Sequence, residues 1–190
     1  GEHIFSGLVC QLFGYDNVGF HIGSEAVTMD FNGPLTEEDV RRVERLANEV
    51  VWKNVPVNTL LPDQEELAAM HYRSKKALEG EVRIVRIPGA DICACCGTHV
   101  RLTGSIGQIK VLSCQKYKSG VRVSILCGRR ALEMENMLLE QVKGVSNLLS
   151  IIAALTDTTV EEAAADLAGQ GIYIVFLNGK YKRYKGVLFR

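Results

Sequence analysis

The stretch QIKVLSCQKYKSGVRVSILC, residues 108–127, predicts an antiparallel β-hairpin and thereby decides the class of the fold. Two apolar-rich arms, 108–118 and 121–127, flank Ser119-Gly120, a dipeptide typical of a two-residue hairpin turn. In the second arm, apolar side chains alternate with mostly polar ones, which predicts one buried face and one exposed face. The residues expected on the buried face are Val121, Val123, Ile125 and Cys127.

The segments before this hairpin alternate between helical and strand patterns. Residues 2–13 carry apolar side chains at helical spacing and stop at Gly14, and residues 37–54 form one apolar stripe after a predicted N-cap at Thr36. Shorter patterns predict strands at 18–22, 26–31, 57–60 and 82–87 and a helix at 63–71. We therefore predict an α+β fold for residues 1–128, in which a two-layer antiparallel sheet packs with helices.

The pattern changes after Gly128. Three helices are predicted, at 130–142 before a stop at Gly144, at 146–155, and at 159–167 with a Thr159/Glu162 capping box. A second hairpin is predicted around Asn178-Gly179, and it is a candidate for self-association into a homodimer. Residues 129–190 are accordingly expected to form a small C-terminal helical and hairpin appendage of unassigned role.

The composition of the 190-residue chain indicates a globular protein, since 47% of the residues are apolar and 23% are charged. The formal net charge is zero, which excludes a general electrostatic attraction to nucleic acid or membranes. The longest apolar run, Leu148–Leu155, is shorter than the ~20 residues of a membrane-spanning helix. No secretory signal pattern opens the sequence. We expect a cytoplasmic protein with no membrane partner.

Reactive side chains concentrate in DICACCGTHV, residues 91–100. Six cysteines in a chain without a signal pattern are more typical of free thiols or metal ligands than of a disulfide framework. Cys95 and His99 have C-x3-H spacing around Gly97, which we expect to let the loop turn tightly, and zinc favours thiolate and imidazole ligands. Two ligands do not complete a zinc site, so others are sought among His3, His21 and His71.

The remaining cysteines have simpler interpretations. Cys93 and Cys96 are neighbours of a site, buried small side chains or alternative ligands, and Cys95 is preferred because it alone has the x3 spacing to His99. Free cysteines are often buried, so those on apolar faces are expected in the core. These are Cys10, Cys114 and Cys127. His71, at the end of a polar helix, is expected on the surface.

Three separated motifs resemble one family. They are GEHIFSG at residues 1–7, EEDVRRVERLANEVV at 37–51 and CCGTHVRLTGSIGQIKV at 95–111. Together they resemble the editing domain of alanyl-tRNA synthetases, which threonyl-tRNA synthetases share, and in particular the free-standing AlaX-type alanyl-tRNA editing proteins. The resemblance covers about residues 1–128, and it implies a chain that lacks the family's N-terminal part.

In that family, zinc is held by a helical H-x3-H pair and a later C-x3-H pair. Carried over position by position, the resemblance implies His3, Cys95 and His99 as zinc ligands, with the first helical histidine falling two residues before Gly1. A zinc ion with three protein ligands would activate water, whereas one with four would orient the substrate, and both arrangements stay open.

The resemblance also implies a trans-editing hydrolase that removes serine or glycine from mischarged tRNA(Ala), whose acceptor end is the expected partner. His21 and Thr28 are the candidate catalytic residues, and Ser24 is a candidate for substrate binding, since GFHIGSEAVTMDF resembles the family's pocket-lining strand. Gly104 and Gly107 either bind substrate, by allowing close approach to the tRNA 3′ end, or simply make turns.

Two other functions stay open at this point. One is a zinc-containing module that binds tRNA or a protein without turnover, and the other is editing of mischarged tRNA(Thr). A basic cluster near the end of the sequence either contacts RNA phosphates or forms a solvated face. It consists of Lys180, Lys182, Arg183 and Lys185.

Overall fold

The computed structural model describes residues 1–74 and 80–170. The chain divides into two compact units, Gly1–Leu132 and Glu133–Arg190. The helices are α1 (Glu2–Phe13), α2 (Glu37–Trp52), α3 (Gln64–Ala69), α4 (Arg129–Thr156) and α5 (Val160–Gly169), with a short 3-10 helix at Thr103–Ile106. The strands are β1 (Asn17–Ile22), β2 (Val27–Phe31), β3 (Asn58–Leu60), β4 (Ile84–Ile87), β5 (Asp91–Ala94), β6 (Ile109–Tyr117) and β7 (Gly120–Cys127). The roles assigned to residues 1–128 and 129–190 stay predictions.

Two antiparallel sheets form the β structure of the described residues. Four strands pair in the order β1-β2-β7-β6, and three shorter strands pair in the order β3-β4-β5. The predicted α+β class, with antiparallel sheets packed by helices, is confirmed. The arms of the predicted hairpin are β6 and β7, and residues 121, 123 and 125 face the core as expected.

The hairpin turn lies one residue earlier than predicted. Tyr117 pairs with Gly120, so Lys118 and Ser119 form the two-residue turn, with Lys118 at a φ of 52°. Gly120 instead begins β7, where an added Cβ atom would collide with the carbonyl oxygen of Phe31. The glycine is therefore required by close packing against β2 rather than by the turn.

Helix α1 lines the core beneath the four-stranded sheet. Ile4, Phe5 and Val9 are fully buried, and the ring of Phe5 lies 6.3 Å from that of Phe31 on β2. The helix ends at Gly14, which adopts the left-handed conformation with a φ of 71°, as its predicted stop requires. The predicted helix 2–13 is thus confirmed.

The same helix approaches β5 closely at one position. A Cβ atom on Gly7 would overlap the carbonyl oxygen of Ala90 and lie 2.7 Å from the Cβ atom of Asp91. Only glycine leaves room for the two backbones to come this near. The contact brings α1, which carries His3, against β5, which begins with Asp91.

Side chains of α2 hydrogen-bond to the backbone of β6. The Asn48 amide donates to the carbonyl oxygen of Ile109 at 2.7 Å and accepts from its N–H at 2.8 Å. The Glu44 carboxylate accepts from the N–H of Val111 at 2.7 Å and from the ammonium of Lys110 at 2.9 Å. Helix α2 begins at the predicted N-cap, with the capping interaction in place, and is fixed to an outer strand of the sheet.

Helix α4 corrects one expectation. It runs without a break from Arg129 to Thr156, although Gly144 was predicted to end a helix. A glycine inside a helix costs only about 1 kcal/mol, which neighbouring turns can offset. This helix is long and apolar enough to cross a membrane by length and composition alone. One such helix is weak evidence of a membrane span.

Several smaller predictions can be compared with the structure. The Thr159/Glu162 capping box before α5 is confirmed, and His71 is exposed as expected. All six cysteines lie within the described residues and are free thiols. Those predicted for the core are only half-buried, and Cys114 and Cys127 pack against its margin. The hairpin predicted at Asn178-Gly179 and the basic cluster 180–185 lie outside the described residues.

Candidate metal centre

The structure brings together His3, Cys95 and His99. One ligand atom from each lies within 4.8 Å of the other two. His3 stands on the first turn of α1, Cys95 directly follows β5, and His99 lies in the irregular segment after it. A tetrahedral zinc ion places its ligand atoms roughly 3.5 Å apart, so small side-chain adjustments would suffice to bind one.

A buried carboxylate orients the imidazole of His3. Nδ1 of His3 lies 2.8 Å from Oδ2 of Asp91, and a carboxylate can only accept, so Nδ1 carries the proton. Nε2 is then the nitrogen with the lone pair, which is the form that binds a metal. The side chains of His3 and Asp91 are 12% and 2% exposed, so the imidazole is held in a largely dry environment.

Arg73 holds the carboxylate in turn. Its Nε and Nη2 atoms donate to the two oxygens of Asp91, each at 2.8 Å. Burial alone would raise the pKa of Asp91, but the hydrogen bonds from His3 and Arg73 outweigh it, and the pKa is lowered. Asp91 therefore remains ionised at neutral pH and keeps His3 in one tautomer.

His99 presents a nitrogen that needs a partner. Its ring meets the ring of His3 edge-on, with the centroids 5.0 Å apart, and its Nδ1 atom is buried without a hydrogen bond within the described residues. Burial lowers the pKa of His99, and the proximity of His3 and Arg83 adds to the effect. A neutral imidazole with an unsatisfied buried nitrogen fits a metal ligand.

Gly97 lies between the two candidate ligands and contacts the thiol of Cys95. The Sγ atom of Cys95 accepts a hydrogen bond from the N–H of Gly97 at 3.4 Å. A Cβ atom at position 97 would lie 3.5 Å from that sulfur and 3.9 Å from Cε1 of His99. The φ angle of Gly97 is not in the left-handed region, so the expected tight turn does not explain this glycine. Both distances are ordinary van der Waals contacts, so an added Cβ atom would also fit at this position.

A second cluster shares His3 with Asp91 and Cys93 and is less suited to a metal. Both oxygens of Asp91 already accept hydrogen bonds from Arg73. Burial raises the pKa of Cys93 to about 11, so its sulfur stays protonated, and the thiol contacts the carbonyl oxygen of Ala94. Cys93 lies on β5 rather than in a loop, and Cys96 is exposed. The set His3, Cys95 and His99 is therefore the better candidate.

Comparison with known proteins shows which proteins this chain is similar to. The family described as "Threonyl and Alanyl tRNA synthetase second additional domain" matches residues 82–123, a segment that contains Cys95 and His99. The alanyl-tRNA editing protein AlaX-L of Pyrococcus horikoshii is 30% identical over 152 residues, which are 78% of this chain. The chain is a relative of the alanyl-tRNA editing proteins.

Other relatives show how far the similarity reaches. Alanyl-tRNA editing protein Aarsd1-B of Xenopus laevis is 29% identical over 154 residues, or 78% of this chain. An alanine–tRNA ligase of Ignicoccus hospitalis is 31% identical over 160 residues, or 79% of this chain. The alignments cover 38% of AlaX-L, 37% of Aarsd1-B and 18% of the ligase. The similarity thus concerns one part of each editing protein or ligase.

Two of the residues predicted to line an editing pocket lie on β1 and β2 of the four-stranded sheet. His21 and Thr28 are directly paired across β1 and β2. Alternation along β2 puts Thr28 on the opposite face from Met29, which is fully buried and accepts a hydrogen bond from Ser6 of α1. His21 and Thr28 therefore point away from the face that α1 covers. Their catalytic role in an editing reaction stays a prediction.

The other predicted substrate residues have structural explanations. Ser24 is exposed, and its backbone carbonyl accepts a hydrogen bond from Arg130. Gly104 donates its N–H to Oδ1 of Asn54 at 3.0 Å, and a side chain there would collide with the same amide. Gly107 has a φ of 79°, which glycine adopts readily. Close packing against Asn54 accounts for Gly104 and the positive φ accounts for Gly107, while contact of either with a tRNA 3′ end stays a prediction.

Sequence reasoning missed the residues that support the candidate metal ligands. Asp91 and Cys93 are the two buried positions of β5, and Cys95 follows two residues after Cys93. The strand pattern in DICACC could therefore have drawn attention to Asp91. Arg73 gives no such signal, because it lies 18 residues from Asp91 in a segment without a motif. Its role follows from the pairing of Arg73 with β5, where its backbone contacts Ile92 and Ala94.

Proposed function

We propose that this chain hydrolyses the ester bond of mischarged tRNA(Ala), acting in trans on tRNA that carries serine or glycine. The observation that carries the proposal is the convergence of ligand atoms from His3, Cys95 and His99. The similarity to alanyl-tRNA editing proteins supports the substrate class. A second candidate is editing of tRNA(Thr), which is favoured by a family description that names threonyl as well as alanyl tRNA synthetases.

We further propose that zinc is the cofactor, held by His3, Cys95 and His99. Two imidazoles and one thiolate form a donor set that zinc favours, and the unsatisfied Nδ1 of His99 fits this role. With three protein ligands, such an ion supplies Lewis acidity to the ester carbonyl and to the attacking water. A fourth protein ligand would take the position that water or the ester would otherwise occupy on the ion.

The chain's own residues would keep the site ready for this reaction. Asp91 retains the proton on Nδ1 of His3 and so leaves Nε2 for the cofactor. Arg73 fixes Asp91 through both carboxylate oxygens and prevents the carboxylate from turning toward the ion. The lowered pKa of His99 keeps its imidazole neutral at physiological pH.

Editing of this kind compensates for the limited selectivity with which a pocket recognises small side chains. A pocket that accepts alanine cannot strongly exclude glycine, which is smaller, or serine, which adds only a hydroxyl group. A second site that hydrolyses the wrong esters therefore raises accuracy. The proposal places the protein in the cytoplasm with the acceptor end of tRNA(Ala) as its partner. Self-association as a homodimer is a further proposal that light scattering would check.

The central experiment measures metal content and deacylation on the same preparations. We expect about one zinc per chain and hydrolysis of Ser-tRNA(Ala) or Gly-tRNA(Ala), with correctly charged Ala-tRNA(Ala) left intact. Cys95→Ala should lose the metal and slow hydrolysis by at least about 100-fold. Cys114→Ala, another half-buried thiol, is the matched control and should retain both properties.

The outcomes separate the candidate functions. A wild-type protein without zinc, or a Cys95→Ala variant that hydrolyses at the wild-type rate, would refute the proposal. Zinc and tRNA binding without turnover would indicate a non-catalytic module, and hydrolysis of Ser-tRNA(Thr) alone would indicate editing of tRNA(Thr). Alanine substitutions of His21, Ser24 and Thr28 test the pocket prediction, and unchanged selectivity between Ser-tRNA(Ala) and Gly-tRNA(Ala) would remove them.

A further inference from the structure

Arg83 contacts the segment that carries the metal ligands from two directions. Its backbone carbonyl accepts the N–H of Cys95 at 3.0 Å. Its Nη1 atom donates to the carbonyl oxygen of Cys95 at 2.8 Å and to that of Gly97 at 2.7 Å. Both peptide groups of Cys95 are therefore hydrogen-bonded to this one residue.

These contacts matter because residues 95–101 form no helix or strand. Strand β5 ends at Ala94, so no sheet ladder fixes the backbone between Cys95 and His99. Where regular structure stops, the backbone of a loop is held by side chains or by water. The Arg83 guanidinium bridges the carbonyl groups at positions 95 and 97, which lie between the two ligands.

The shape of the guanidinium suits this task. It is planar and carries several N–H donors in a fixed arrangement, so it can bind two carbonyl oxygens at once in a single orientation. Its Nη2 atom also lies 3.4 Å from the hydroxyl oxygen of Thr59 on β3, which anchors the side chain across the three-stranded sheet. The loop is thereby connected to that sheet through one side chain.

We propose that Arg83 is a positioning residue of the metal site, which sets the spacing of Cys95 and His99 without contacting the ion or the substrate. This inference rests on the proposed metal-binding function. It predicts that metal affinity depends on Arg83 even though Arg83 supplies no ligand atom. It also predicts that excess metal restores activity, because the ligands themselves are intact.

The test compares Arg83→Met, Arg83→Lys and Arg86→Met in the full chain. Arg86 is an exposed residue of β4 and serves as the matched control. Zinc affinity is measured by competition with a chromophoric chelator, and cobalt absorption reports the ligand geometry independently of activity. Arg83→Met should weaken zinc binding by roughly 10- to 100-fold, the usual effect of losing a group that orients a metal ligand.

Each further measurement supports or overturns the inference. Arg86→Met should bind zinc like the wild type, and Arg83→Lys should be intermediate because an ammonium cannot reproduce the planar fork. Deacylation by Arg83→Met should return toward the wild-type kcat at saturating zinc. Wild-type zinc affinity in a folded Arg83→Met would overturn the inference, as would wild-type affinity in Arg83→Lys should the methionine variant not fold. A wild-type chain that binds no zinc would instead refute the proposed function.

Discussion

Nδ1 of His3 and Oδ2 of Asp91 lie 2.8 Å apart, although 88 residues separate them in the chain. This contact joins the first turn of α1 to the first residue of β5. Two segments that are distant in the sequence are thereby fixed relative to each other. The proposed metal centre is built on this connection, because His3 can meet Cys95 and His99 only if α1 stays against β5.

Asp91→Asn tests this connection. The amide keeps the shape of the side chain but loses one acceptor oxygen and the negative charge, so Arg73 is left without its ion-pair partner. We expect zinc affinity to fall by about 10- to 100-fold and the free energy of unfolding to fall by about 3 kcal/mol. Chelator competition and urea unfolding measure the two effects.

The control for this variant is Asp157→Asn. Asp157 is exposed and has a φ of 54°, a conformation that asparagine also adopts readily. It should change neither zinc affinity nor stability. Unaltered zinc affinity in Asp91→Asn would show that the carboxylate does not orient His3.

Gly7→Ala tests whether α1 needs its close approach to β5. The added methyl group would overlap the carbonyl oxygen of Ala90, so α1 must shift away from the strand. We expect a loss of about 1–3 kcal/mol in the free energy of unfolding, typical of overpacking. Zinc affinity should fall as well, because His3 moves with the helix. Both are measured as for the Asp91 variant.

Gly144→Ala is the matched control, since no atom lies within 4 Å of a Cβ atom built at position 144. Alanine inside the continuous helix α4 should stabilise the protein by about 0.5–1 kcal/mol. The two substitutions are chemically identical and should change the free energy of unfolding in opposite directions. A stabilising Gly7→Ala would contradict the packing described for α1.

Asp30→Asn is predicted to change the dependence of stability on pH. Two hydrogen bonds from Arg122, at 2.6 and 2.8 Å, hold the pKa of Asp30 below its ordinary value despite partial burial. The carboxylate therefore contributes stability above its unfolded-state pKa of about 3.9, and this contribution is lost as the pH falls through the lower folded-state pKa.

Thermal unfolding of the wild type and Asp30→Asn between pH 7 and pH 3 gives the measurement. The melting temperature of the variant should be lower at pH 7, and the difference should shrink at the acidic end. High salt should also reduce the difference at pH 7, since the pair is partly exposed. A difference that stays constant with pH would rule out the ionised carboxylate as its source.

Asn48→Ala removes two hydrogen bonds from the backbone of β6. The N–H and carbonyl groups of Ile109 lose their partner, and Ile109 itself is 1% exposed. We expect the free energy of unfolding to fall by about 1–3 kcal/mol, the cost of leaving such groups unsatisfied. Asn147→Ala, at an exposed position of α4, should be neutral or slightly stabilising in the same urea titration.

Local patterns in the sequence predicted most of the fold. The hairpin arms, α1, α2 and the caps at Thr36 and Thr159 depend on neighbouring residues, and they appear where the pattern indicates. The errors concern the roles of two glycines. Position 120 requires glycine because a Cβ atom there would collide with the carbonyl oxygen of Phe31, and Gly144 does not end α4.

The candidate site was predictable only in part. The spacing of Cys95 and His99 indicated a metal, and the resemblance to a family added His3. The contacts that orient these ligands link Arg73 to Asp91 and Arg83 to Gly97. The first depends on the bridge between Arg73 and β5, and the second on the pairing of β4 with β5, neither of which a short motif encodes. Sequence reasoning therefore identified the candidate ligands but not the residues that hold them.

The hydrogen bonds from Asn48 and Glu44 also occupy part of the unpaired edge of β6. An outer strand normally offers a row of donors and acceptors to which a peptide or another molecule can add as an extra strand. Between Ile109 and Val111 these groups are already occupied from within the chain. Fibre-like growth or domain exchange through this part of the sheet is therefore blocked by two side chains of a single helix.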